Sequence, residues 1–284
     1  VEQGDSLIRA GIEAMTSREH SKSLELLTRA KTLAEDQHWH SQHFLALNNM
    51  GANYYAMLDY GEALNYYLEA YTLAIKELGP SQEMVVLNNI AILYLGDKDY
   101  DKAREYLEKA YTLAKNTNNK KKIVHYAVNL GLIYNEKRDL ESADRYLQEA
   151  LRLTDENPTV LTETKIALAD YHYLKGDYPQ SVAYINELLP ELEKAGFEEY
   201  RVTVLLILSK IYWAENKLAD AIKIAGSALS QPVNLDSKIL VYKHLSDLYA
   251  TNQNYLYAMQ AKDSILLFQE SLNQLKNGRL YETN

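Results

Sequence analysis

Residues 47–63 read LNNMGANYYAMLDYGEA, and residues 87–103 read LNNIAILYLGDKDYDKA. The two stretches begin 40 residues apart and share a frame: Leu-Asn-Asn, an apolar residue, a small residue, a tyrosine, an Asp-Tyr turn and an alanine. Asparagine is a poor helix former, because its amide competes with the backbone for hydrogen bonds. Two adjacent asparagines inside an apolar, helical-looking stretch, repeated at one spacing, mark a built feature.

Working outward from these stretches, the small residue recurs as Gly11, Gly51, Ala91, Gly131, Ala169, Ser209 and Ser246, at intervals of 40, 40, 40, 38, 40 and 37. Three residues after it stand Tyr54, Tyr94, Tyr134, Tyr212 and Tyr249, with Ala14 and His172 departing. Twelve after it stand Ala63, Ala103, Ala143, Ala221 and Ala258, with Ser23 and Ser181 substituting. Small residues at two sites twelve apart let paired helices approach closely, while Tyr and Leu fill the seam. The pattern predicts a helical hairpin per repeat, fourteen helices and no strand. Asp59, Asp99, Asp139 and Asp177 stand where second helices begin and are expected to cap them, with Glu62 and Gln180 completing a capping box. Pro179 falls in a first turn, where its missing N–H costs little.

Composition agrees. Hydrophobic residues make up 47% of the 284, enough for a core, and Gly (11) and Pro (5) are too scarce for a loop-rich or many-stranded fold. Aromatics are lopsided toward tyrosine, 24 against 3 Phe and 2 Trp, a residue suited to seams that are apolar on one side and wet on the other. The net charge of −9 argues against nucleic-acid binding, which needs clustered Lys and Arg. Lys120–Lys121–Lys122 is the one basic cluster and reads as a solvated inter-helix loop. There is no cysteine for a disulfide or thiolate site, and no apolar run of about 18 residues to span a membrane.

No pattern for chemistry emerges: no GxSxG, HExxH, phosphate loop or EF-hand loop. The stretch HWHSQH, His38 to His43, places His40 and His43 within reach of one face, but in a connector and with only Glu35 and Asp36 nearby. It reads as a loop, and no metal or cofactor is expected. His125, His172 and His244 fall on different repeats without a nucleophile.

The small–Tyr–Ala–Ala spacing resembles the tetratricopeptide repeat over about residues 5–270. The repeats exceed the commonest length of about 34 residues and are similar to the long repeats of kinesin light chains and bacterial peptide-sensing regulators. The resemblance implies a right-handed superhelical, all-α solenoid of seven hairpins over residues 1–270, with 271–284 as a helical extension or linker. Lys262 and Ile265 replace the repeat's aromatic and alanine in the last copy, as a terminal cap allows.

In such a solenoid one stripe of each first helix lines the inner surface. Asn48 and Asn49 lie on it, as do Asn88, Asn89 and Asn129. With Arg9 at the same offset, they predict a polar ladder. An asparagine amide carries donors and an acceptor and pairs with both backbone groups of an extended peptide. The resemblance implies such use, as a peptide groove; the other reading is that the amides tie adjacent helices together. Further along the stripe stand Tyr55, Asn135, Tyr173 and Trp213, either anchors for a partner's side chains or filling. Ala52, Ile92 and Leu132 on this stripe give way to Asp170, Lys210 and Asp247.

The end of the chain, KDSILLFQESLNQLKNGRLYETN, resembles the end of the tetratricopeptide sensor region in membrane-bound bacterial regulators, where a similar segment leads to a coiled coil, a membrane span and a histidine kinase or helix-turn-helix. That implies a non-enzymatic, protein- or peptide-binding sensory module, periplasmic or extracytoplasmic, with homodimerisation compatible. A free-standing cytoplasmic scaffold or co-chaperone-like adaptor is the alternative. A clamp for C-terminal carboxylates would set Lys and Arg among the asparagines, and only Arg9 and Lys210 qualify, far apart in the array.

Overall fold

The computed structural model describes residues 1–154 and 157–281. Among these it holds fourteen helices and no strand. They run as hairpins: α1 (Glu2–Thr16) with α2 (His20–Asp36), α3 (His40–Ala56) with α4 (Tyr60–Glu77), α5 (Pro80–Gly96) with α6 (Tyr100–Asn116), α7 (Lys120–Glu136) with α8 (Leu140–Leu153), α9 (Pro158–Lys175) with α10 (Tyr178–Leu192), α11 (Glu198–Ala214) with α12 (Leu218–Ser227), and α13 (Leu235–Thr251) with the longer α14 (Tyr255–Tyr281). Two compact units result: Val1–Ile133 with the chain end from Leu275, and Tyr134–Gln274.

The small residues act as anticipated. A Cβ built on Gly51 would come within 2.6 Å of the Tyr67 ring, and one on Gly11 within 2.7 Å of Leu27 Cγ. Where serine replaces a small residue, it adds a hydrogen bond across the seam. Ser23 Oγ donates to Gly11 O (2.6 Å), Ser181 Oγ to Ala169 O (2.7 Å), Ser209 Oγ to Ala221 O (2.7 Å) and Ser246 Oγ to Ala258 O (3.4 Å). Serine at either end of the twelve-residue spacing thus makes the same latch in opposite directions.

The tyrosines explain their own abundance. Tyr54 stacks on Tyr66 with ring centroids 5.5 Å apart, Tyr94 on Tyr106 at 5.7 Å and Tyr134 on Tyr146 at 5.6 Å. His172, the departure in the fifth repeat, stacks on Tyr184 at 5.8 Å and keeps the geometry. One aromatic from each helix of the hairpin makes each pair.

Every hairpin turns through a left-handed residue seven places after its small anchor: Arg18, Leu58, Lys98, Arg138, Gly176, Asn216 and Gln253. Only one of these is glycine, although other residues are strained there. The predicted caps are in place. The side chains of Asp59, Asp99, Asp139 and Asp177 accept from the backbone N–H of Glu62, Lys102, Ser142 and Gln180. The reciprocal half of the capping box is not formed. The backbone N–H of Asp59 is already donated to Tyr54 O (2.9 Å) and that of Asp177 to His172 O (2.8 Å), so Glu62 and Gln180 are not needed there.

Two expectations about connectors are corrected. Lys120–Lys122 form the first turn of α7 and His40–His43 the first turn of α3, not loops. Each connector is shortened by a left-handed residue, Asn118 or His38, which reverses the chain before the polar stretch begins.

Candidate functional site

The asparagines of the first unit sit half-buried on the first helices of their hairpins. Asn89 Nδ2 donates to Asn48 Oδ1 at 2.8 Å, so two of the predicted residues meet across neighbouring repeats. Asn49 instead turns its amide to Leu45 O, one turn back on its own helix, at 2.8 Å. The Asn88 Oδ1 is buried and no protein group donates to it. Asn129 is half-buried on α7, and Arg9 is exposed on α1. One amide bridges two helices, and the buried Asn88 carbonyl meets no protein donor.

A further asparagine was not anticipated. Asn53 is fully buried and sits at the centre of a relay. Its Oδ1 faces His20 Nδ1 at 3.1 Å, and its Nδ2 donates to Ser23 Oγ at 2.8 Å. Ser23 in turn donates to Gly11 O. Because Asn53 Oδ1 only accepts, the His20 proton must lie on Nδ1. The signal was available in the sequence: five of the other repeats carry Leu93, Ile133, Tyr171, Ile211 or Leu248 at this place, and the first carries Glu13.

The aromatic candidates each spend one ring face within the fold. Tyr55 stacks on Tyr60 (5.5 Å) and Tyr173 on Tyr178 (6.0 Å), while Trp213 meets the edge of His244 (5.9 Å). His244, at the ladder offset in the seventh repeat, is buried against Ser209, with Nε2 2.8 Å from Oγ. Ser209 already donates its one hydroxyl proton to Ala221 O, so His244 is the donor, protonated on Nε2. Burial, with Lys210 nearby, pulls its pKa down to about 4.

In the second unit a polar pocket of about 240 Å³ opens between α7, α9 and α11, lined by Asn135, Glu136, Arg138, Asp170, Tyr173, Leu174 and Lys210. Asn135 is not laid open along a groove surface: it is fully buried at the pocket wall. Its Nδ2 donates to Ala167 O at 3.1 Å, while no protein group donates to its Oδ1. Burial raises the Asp170 carboxyl above its ordinary range, opposed first by Lys210 and then by Arg138 and the Asn135 amide, while Glu136 adds to the rise. Among the described residues, no three His, Cys, Asp or Glu groups are placed to hold a metal. His40 Nε2 lies instead 3.6 Å from Glu77 Oε2.

The architecture is that of an all-α protein of stacked helical hairpins. A family model described as tetratricopeptide repeat matches residues 42–116 and 82–156. No curated protein sequence matches the chain. Solved structures of the same fold include the apo form of RapI, with TM-score 0.78, 15% identity, and 96% of this chain and 100% of that one covered. Aspartyl phosphate phosphatase F from Bacillus subtilis gives 0.70 and 18%, covering 93% and 69%. NprR in complex with its cognate peptide NprX gives 0.66 and 15%, covering 99% and 82%. At these identities the likeness is one of fold.

Proposed function

We propose that this chain is a non-enzymatic module that binds a peptide or an extended protein segment on the first helices of its hairpins, as the sensory or interaction region of a bacterial signalling or transcription regulator. One observation carries the reading: Asn48, Asn88 and Asn89 are gathered on two adjacent helices, with one amide oriented by a neighbour and one buried carbonyl that no protein donor meets. An extended peptide offers N–H and C=O groups at the spacing such amides accept and donate. Arg9, Tyr55 and Asn129 are the further contacts proposed in the first unit, and Tyr173 and Trp213 are proposed as side-chain contacts in the second. The NprR–NprX complex gives the reading a precedent in the same fold.

The regulator role rests on the resemblance of the chain end, and extracytoplasmic placement follows from it. No described helix is long and apolar enough to cross a membrane, so a span would belong to flanking sequence. The test is calorimetric titration with a random octapeptide library, on the wild type and on Asn49→Ala/Asn89→Ala/Asn129→Ala. Loss of binding with the fold retained supports the groove, and unchanged binding overturns it. Turnover of an aspartyl phosphate by this chain, the activity in the name of one neighbour, would overturn the non-enzymatic part.

A further inference from the structure

The pocket of the second unit has a chemistry different from the asparagine row. Its wall includes Asn135, a fully buried side chain whose Oδ1 meets no protein donor and whose Nδ2 is held by Ala167 O. The fixed end prevents the amide from rotating to present a donor instead. Beside it Asp170, half-buried, adds carboxylate acceptors, and Tyr173 adds a ring. Arg138 and Lys210 are exposed at the rim. Leaving a buried carbonyl unmatched is costly, so the site is built for a donor that comes from outside.

We propose that this pocket binds an α-ammonium group, either of a free amino acid or of a peptide's free N-terminus, with Asn135 Oδ1 and Asp170 as acceptors and Lys210 and Arg138 drawing the adjoining carboxylate or carbonyl oxygen. An ammonium has three donors and no acceptor, matching the acceptors of Asn135 and Asp170. The lining carries Glu136 and Asp170 against Arg138 and Lys210, a balance that suits a zwitterion or the polar start of a peptide better than a lone cation. An anion is disfavoured because Asn135 Oδ1 and the Asp170 carboxylate would oppose it. A divalent metal is disfavoured by the two cationic side chains at the mouth. The volume of about 240 Å³ admits one residue rather than a long segment. The inference rests on the peptide-binding reading only for one of its two amine sources.

The test uses three probes on the whole chain: each of the twenty common amino acids, a random octapeptide library with free N-termini, and the same library N-acetylated. Titration calorimetry is run on the wild type, Asp170→Asn, Lys210→Gln and the triple asparagine variant, with circular dichroism to verify each fold. The expected result is that amino acids or free-ended peptides bind, and that acetylation or Asp170→Asn weakens binding about tenfold or more. Lys210→Gln should weaken amino acids in the same direction. Binding of amino acids alone, or of peptides alone, assigns the source. Equal affinity for free and acetylated peptides without amino-acid binding, indifference to Asp170→Asn and Lys210→Gln, or no binding by any probe overturns the proposal. The triple asparagine variant separates the two readings. Peptide binding that survives it while remaining sensitive to acetylation sinks the asparagine row and keeps the pocket. The opposite pattern does the reverse.

Discussion

Asn89 on α5 donates to Asn48 on α3 at 2.8 Å, a side-chain bond between residues 41 apart. It uses one donor of one amide and one acceptor site of the other, leaving the rest of each amide to other partners. Asn89→Ala strands the Asn48 carbonyl and should cost about 1 kcal/mol. Asn48→Ala/Asn89→Ala strands neither, and should be no less stable than the worse single variant. Urea unfolding of all four species measures the coupling directly, and a coupling near zero would mean that the bond adds nothing to stability.

Gly51 has no room to grow, since a Cβ would lie 2.6 Å from two atoms of the buried Tyr67 ring. Gly51→Ala should destabilise by about 1–3 kcal/mol, and Gly51→Leu by more. Gly61, whose Cβ would meet only Asp59 Oδ1 at 3.8 Å, is the control: Gly61→Ala in the first turn of α4 should be neutral or stabilising. Equal melting temperatures for the two alanine variants would contradict the packing described.

Lys98 is exposed in a left-handed conformation, φ 58°. Lys98→Asn, a residue better suited to that region, should raise stability by about 0.5 kcal/mol. Gly176→Ala, at φ 84°, should lower it by about 1 kcal/mol. Opposite shifts of the thermal midpoint are the expected readout.

Asp99 accepts from Lys102 N at 3.2 Å at the start of α6. Asp99→Ala should cost about 1 kcal/mol, and Asp99→Ser little. Chemical denaturation of the pair tests whether the loss comes from the cap rather than from the charge.

His244 makes stability depend on acid. Its folded pKa is about 4 against an ordinary 6.5, so the unfolded chain binds the proton first. Stability is therefore complete above 6.5 and falls as pH drops toward 4, by up to about 3 kcal/mol. Nδ1 is the atom that must take the proton, since Nε2 already carries one toward Ser209. Lys210 opposes the charge and Asp247 favours it. His244→Gln should flatten this part of the pH profile. His43 and His172 are shifted the same way by burial, so the difference between variant and wild type is the quantity to read.

Much of the fold could be read in advance because its determinants are local and periodic. Gly51, Ala63 and Tyr54 each recur at fixed offsets, and Asp59 announces a helix start by its own side chain. The misreadings came from the backbone. Nothing in the letters of His38 or Asn118 says that they adopt positive φ, and that choice moves His40 and Lys120 from connector to helix. The capping box failed for a related reason: the turn brings Tyr54 O to the Asp59 N–H, and no spacing rule records that. At the candidate site the asparagines fall on the first helices as the periodicity placed them, but their partners were not foreseeable. The bond of Asn49 to Leu45 O and the burial of Asn135 depend on rotamers set by neighbours far away in sequence.

The stacked tyrosines carry an optical consequence. Tyr54–Tyr66, Tyr94–Tyr106 and Tyr134–Tyr146 hold two chromophores nearly parallel, one on each helix of the hairpin. Their coupled transitions give the near-ultraviolet dichroism a contribution that disappears when a hairpin's helices part, even if both remain helical. Burial pushes the phenol pKa values of Tyr54, Tyr66 and Tyr106 upward, so the parting of these hairpins would ease their ionisation. Loss of the coupled dichroism should therefore report the opening of those hairpins without an added label.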